Sequence, residues 1–298
     1  MAVTNDEPAD REPMTAASYS TGSCLPVRSV IANNFAFESE NRMHADDVAA
    51  EFGFRGGLVP GVGVFAYMTQ PVVEALGRDW LERGRIAARF MKPVYHDECV
   101  TVHTAVENES PLRFNVEVRN AEGQPCGVGE IELPDHSPAA PDPAAYPRRP
   151  LPSHADRYPC RIAAFASDET ELGSLEFEAA WQTALEGPEP FIEAVRDPLV
   201  IYRGKDAACH PAMIVSRANQ LLKENVDLGP WIHTASTVQF FGLAREGERL
   251  SLRGKVARTF AKREHEFVEL DLAMFDSTDR PLAHIIHVAI IRPARRKV

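Results

Sequence analysis

Seven prolines fall between Leu133 and Pro152, in the stretch LPDHSPAAPDPAAYPRRPLP. Each removes a backbone donor and holds φ at about −65°, so neither a helix nor an inner strand runs through it. The stretch reads as an extended linker over 135–155, between modules at 26–134 and 156–298. A chain of 298 residues has room for two cores of ordinary size. Residues 1–25 are polar, with no apolar core. They read as a disordered tail rather than a secretory signal.

The two modules look alike when the numbering is shifted by 150. Pro60-Gly61 falls on His210-Pro211, Phe90 on Phe240, and His96-Asp97-Glu98 on Glu246-Gly247-Glu248. Val100, Val102 and Val106 fall on Leu250, Leu252 and Val256. With four more residues of shift, Phe114, Val116 and Val118 fall on Val268, Leu270 and Leu272. Identity is low, but the order of apolar positions is kept.

Each module has one grammar. Gly/Pro punctuation precedes an apolar helix, predicted at 61–76 in the first module and 211–224 in the second. Pro71 inside the first predicts a kink or break. Alternating strands follow, with turns at Asn120–Gly123 and Asp276–Asp279. One buried helix followed by an antiparallel meander, repeated, predicts an α+β double hotdog, in which each sheet wraps a central helix.

The remaining composition narrows the function. A formal charge of −11 repels phosphate backbones, which argues against nucleic acid. No run reaches the roughly 18 apolar residues of a membrane span. Five cysteines without a CxxC read as reduced thiols of a cytoplasmic protein. There is no GxGxxG, P-loop, GxSxG or metal-ligand spacing, so neither cofactor nor metal is expected.

Ser39-Glu40-Asn41-Arg42-Met43-His44 is followed by Ala49-Ala50, Gly53-Phe54 and Leu58-Val59-Pro60-Gly61. Together with RFMKPVYHDECV at 89–100, this pattern resembles the MaoC-like (R)-specific enoyl-CoA hydratases and dehydratases. The resemblance covers about 30–134 and 199–293. It matches the family's Asp-x-Asn-Pro-x-His at Asn and His, with Ser39 in place of the Asp and Arg42 in place of the Pro. It implies reversible hydration of an acyl thioester, linked to CoA or a carrier protein, in fatty acid metabolism. It also implies a site between the modules, in a monomeric pseudo-dimer or a homodimer.

By that resemblance His44 is the general acid/base, a role histidine suits near neutral pH. The bland alternative is a surface histidine ahead of a short helix. Asn41 positions His44 or water, or simply makes an Asx turn. Glu40 substitutes for the missing carboxylate or is a solvated surface residue, and Glu38 is a weaker candidate. The Gly61 and Val62 amides, at a helix start, form the oxyanion site. Phe65, Tyr67 and Met68 line an acyl tunnel or are plain core. His210 bonds a ligand or is a buried helix-start residue, with Asp206 as its possible carboxylate partner. Three other readings stay open: a hotdog thioesterase, a non-catalytic acyl-thioester binder, and a subunit completed by a partner chain.

Overall fold

Buried and exposed residues alternate along the strands as the sequence predicts. Val100, Val102 and Val106 are buried while Thr101, His103 and Ala105 face outward. The structure, a computed structural model, describes residues 19–165, 170–183 and 189–295. The first half contains β1 (Arg28–Ile31), α1 (Asp46–Glu51), α2 (Gly61–Arg83), β2 (Arg85–Phe90), β3 (Cys99–Glu109), β4 (Leu112–Arg119) and β5 (Pro125–Leu133). The second begins with the short strands β6 (Tyr158–Pro159), β7 (Thr170–Glu171) and β8 (Leu175–Glu178), then α3 (Phe191–Ala194) and α4 (Pro211–Asn225). It ends with β9 (Val226–Asp227), β10 (Ile232–Phe240), β11 (Arg249–Lys262), β12 (His265–Asp276) and β13 (Pro281–Arg292).

One sheet spans both halves, in the order β1-β3-β4-β5-β2-β10-β13-β12-β11-β7, with β8 also on β11. The halves join where β2 pairs antiparallel with β10, Ile86 opposite Val238. α2 packs against α4, and a single apolar core runs through both modules. Phe65, Met68 and Trp80 of α2 are fully buried there. Each contributes about 2 kcal/mol through burial. This is the double hotdog expected from the repeat.

The shift by 150 holds at the level of single hydrogen bonds. Val59 N–H donates to the Val94 carbonyl at 2.8 Å and Cys209 N–H to that of Ala244 at 3.1 Å. Tyr95 N–H donates to Glu98 and Arg245 N–H to Glu248. Asp97 and Gly247, matched by the shift, both have positive φ, 59° and 81°. The later strands differ from the expected alignment. Val106 pairs with Phe114 and Val256 with Leu270, so Phe114 matches Leu270 rather than Val268. The second hairpin is longer, and because the difference is even the buried face is kept.

Three expectations need correction. Residues 1–18 of the expected tail lie outside the described residues, but Tyr19 to Leu25 are not a free tail. Gly22 N–H and Leu25 N–H donate to the carbonyls of Val106 and Thr104, both at 2.9 Å. These residues extend β1 along the open edge of β3, where unpaired backbone groups await partners. The helix expected to break at Pro71 is interrupted instead at Gly77 (φ 58°, ψ −136°). Proline's own φ is helical, whereas Gly77 takes a conformation other residues resist. The proline-rich stretch is extended but pinned: Tyr146 packs on Phe275 and donates to Asp271 at 2.9 Å, and Arg148 pairs with Glu176 and Asp279.

Candidate functional site

A short 3-10 turn, Arg42–His44, presents His44. The Asn41 side chain starts it, its Oδ1 accepting the Met43 N–H at 3.2 Å. The His44 ring is held by two contacts. Nδ1 lies 2.7 Å from the Leu58 carbonyl oxygen, which can only accept, so the proton sits on Nδ1. Nε2 is therefore the basic lone pair, with the Asn41 amide at a long 3.3 Å. Burial pushes the pKa of His44 down, partly opposed by the Leu58 bond. The imidazole is neutral at pH 7, the state a general base requires.

Asn41 does both things the sequence left open. It makes the turn, and its amide also grips the second module. Nδ2 donates to the Trp231 carbonyl at 3.1 Å and Oδ1 accepts the Trp231 N–H at 3.2 Å. His44 is thus positioned across the junction between modules. Asn34, which drew no attention in the sequence, supports the same turn by donating to the His44 carbonyl at 2.8 Å.

His44 and Asn41 line a cavity of about 460 Å³ between the halves. Leu58, Gly61, Val64 and Phe90 line it from the first module; Trp231, Ile232, His233 and Ile290 line it from the second. Gly61 opens α2, where first-turn amides have no acceptor within the helix and the helix dipole favours negative charge. A Cβ at Gly61 would lie 2.9 Å from His233 Nδ1 and 3.2 Å from Phe90, so only glycine leaves this approach open.

Other expected site residues fall elsewhere. Val62 is buried and does not line the cavity. Phe65 and Tyr67 are core rather than tunnel. Both are buried on other faces of α2, and the Tyr67 hydroxyl accepts the Asn33 N–H. Met68 is core as well. Glu38 and Ser39 line the rim. Glu40 is also there but exposed, and its bond to Lys223 holds its pKa below the usual carboxylate value.

His210 is a structural residue. It is fully buried and caps α4, Nδ1 accepting the Ala212 N–H at 3.1 Å. That places the ring proton on Nε2, which donates to Asp197 at 3.2 Å. The partner is Asp197, not Asp206. Phe191 and Tyr202 pack on the His210 ring at 5.7 and 4.4 Å, so the place equivalent to the α2 start is filled.

Sequence reasoning missed His233. It lies in an alternating strand with no motif around it, and only the bulge after it, between His233 and Ala235, re-aims the ring toward the cavity. Burial pushes its pKa well down and that of His287, stacked on it at 4.3 Å, to about 3. An unfolded imidazole protonates near 6.5, so below that pH the folded state binds fewer protons and loses stability. At pH 5 His287 alone removes about 2 kcal/mol relative to neutral pH, and His233 acts in the same direction. Urea midpoints at pH 7 and pH 5 measure this, and equal midpoints contradict it.

No protein-family model and no curated protein matches the sequence. Solved structures do match the fold. A Chloroflexus aurantiacus protein described as a MaoC-domain dehydratase superposes with a TM-score of 0.62 at 11% identity, over 97% of this chain and 100% of that one. A Mycobacterium tuberculosis protein described as a double hotdog, essential for survival during infection, gives 0.63 at 12%, over 92% and 97%. A protein from Novosphingobium aromaticivorans, described as a thioesterase, gives 0.50 at 12%, over 89% and 95%. These likenesses establish the double hotdog.

Proposed function

We propose that the protein hydrates enoyl thioesters and, in reverse, dehydrates 3-hydroxyacyl thioesters, carried on CoA or a carrier protein. One observation carries this reading: His44, with its ring proton held on Nδ1, and the α2 start at Gly61 line one largely apolar cavity between the modules. In hydration, Nε2 takes a proton from water as its oxygen bonds to Cβ. The π pair moves toward the thioester oxygen, where the Gly61 amide stabilises the developing enolate. The imidazolium then returns its proton to Cα. The sum is one water added across the double bond. Dehydration runs the same steps backward. Among the described residues no helix is long and apolar enough to cross a membrane, and we place the activity in the cytoplasm.

The test follows loss of the enoyl-thioester absorbance with crotonyl-CoA and a longer trans-2-enoyl-CoA. Steady loss that saturates with substrate is the expected result. A second reading has its own observation. The cavity's carboxylates, Glu38 and Glu40, are at its exposed rim, and Glu40 is tied to Lys223. Binding of acyl-CoA without turnover of either substrate would favour a non-catalytic binder or a subunit completed by a partner. Release of CoA from saturated acyl-CoA would favour a thioesterase.

A further inference from the structure

The repeat is broken at one buried pair. In the first half Ile86 of β2 faces Ile131 of β5 across the strands, and both are fully buried. The register places Ser236 of β10 and His287 of β13 at the matching positions, equally buried. Trading two isoleucines for a hydroxyl and an imidazole gives up hydrophobic stabilisation and demands partners. The pair meets that demand in part, through a chain that ends at His233, while His287 Nε2 has no partner among the described residues. Ser236 Oγ lies 3.0 Å from His287 Nδ1 and 2.9 Å from His233 Nε2.

The chain also sets the tautomer of His233. Nε2 lies 3.2 Å from the Ala235 carbonyl oxygen, which can only accept, so Nε2 carries the proton. Ser236 then accepts from His233 and donates to His287. Nδ1 of His233 is left as a bare lone pair, buried and without a partner among the described residues. It points at the start of α2, close to where a Cβ on Gly61 would be. The Phe90 ring, edge-on at 4.8 Å, holds the imidazole there.

We propose that His233 binds the reacting water, or in reverse the 3-hydroxyl of the substrate, by accepting its hydrogen bond at Nδ1. The inference rests on the acyl-thioester reading of the cavity. It supplies from the second module an acceptor that no carboxylate provides in the first. During hydration one water proton goes to His44 and the other stays on oxygen, directed at His233, and remains on the new hydroxyl. His233 gains no proton, and the balance of the reaction is unchanged. The site therefore favours 3-hydroxyacyl over saturated acyl thioesters.

Binding is measured in the His44→Ala protein, where chemistry does not interfere, with each enantiomer of 3-hydroxybutyryl-CoA and with butyryl-CoA. One enantiomer is expected to bind about tenfold more tightly than butyryl-CoA, the worth of one good hydrogen bond. His233→Gln keeps an amide near Nε2, preserves the Ser236 chain and removes the acceptor; it should abolish the preference. His233→Asn puts an amide oxygen near Nδ1 and should keep it. A purely structural role predicts the opposite order. Nitrogen NMR of the histidine rings adds a test without substitution at 233: the His233 Nδ1 signal should shift with the hydroxy ligand and not with butyryl-CoA. A preference that survives His233→Gln, or an unmoved Nδ1 signal with the hydroxy ligand bound, overturns the inference alone. Failure of every ligand to bind overturns the acyl-thioester reading and the inference with it.

Discussion

Replacing His44 with alanine is expected to lower kcat on enoyl-CoA by about two to four decades, the range for losing a positioned general acid/base. Affinity for a saturated acyl-CoA should change by only a few-fold, because the apolar lining from Val64, Phe90 and Ile290 is untouched. The separation of the two effects is the informative part. His44 makes one strong bond, to the Leu58 carbonyl, and that bond orients the ring. A fall in affinity equal to the fall in turnover would mean that the ring shapes the cavity rather than moves the proton. Turnover within threefold of wild type would remove His44 from the chemistry.

Gly57→Ala is expected to destabilise the protein by about 3 kcal/mol, the upper end for forcing an atom into a packed site, and to lower kcat at least about tenfold. The methyl would lie 2.0 Å from the His44 carbonyl oxygen and 2.6 Å from its carbon. Those are backbone atoms, which cannot rotate away. The segment carrying His44 must shift, and with it the bonds from Asn34 and Asn41. Gly229→Ala is the control, since no described residue lies within 4 Å of its added Cβ. Urea unfolding of the three proteins measures the stability change, and enoyl-CoA turnover measures the activity. Wild-type stability in Gly57→Ala would show that the turn yields easily and is not a rigid mount.

The fold was legible because burial alternates along β3 and β4 and because the copies keep the turn ahead of β3 and β11 at one shift. Asp97 and Gly247 show how that works: different residues serve one left-handed turn, and the shift survives the substitution. The Pro71 reading failed because proline's φ suits a helix, while the break needed the freedom of Gly77. Within the site, His44 and Asn41 were readable from a local motif, since they are close in sequence. Asp197 and His233 were not. Asp197 reaches His210 across a loop, and His233 lies 189 positions after His44 in the sequence. Such pairings are created by tertiary folding and leave no spacing to read. Phe65 and Tyr67 illustrate the converse: an apolar helix face says that a side chain is buried, not whether it faces a cavity or the core.

The joint between β2 and β10 has a consequence for how such a chain can change over generations. In a symmetric dimer of one module, any substitution appears twice, at both ends of the two-fold axis. A polar Ser–His pair beneath one site would have to be accepted beneath the other as well. Joining the copies in one chain lifts that restriction, and the linker keeps the partners at high mutual concentration without demanding that they be identical. Here one helix start opens onto a cavity, while its counterpart is closed by Phe191 and Tyr202 around the histidine that caps it. A covalent link between the copies lets each helix start take its own surroundings, where a symmetric dimer would repeat one arrangement twice.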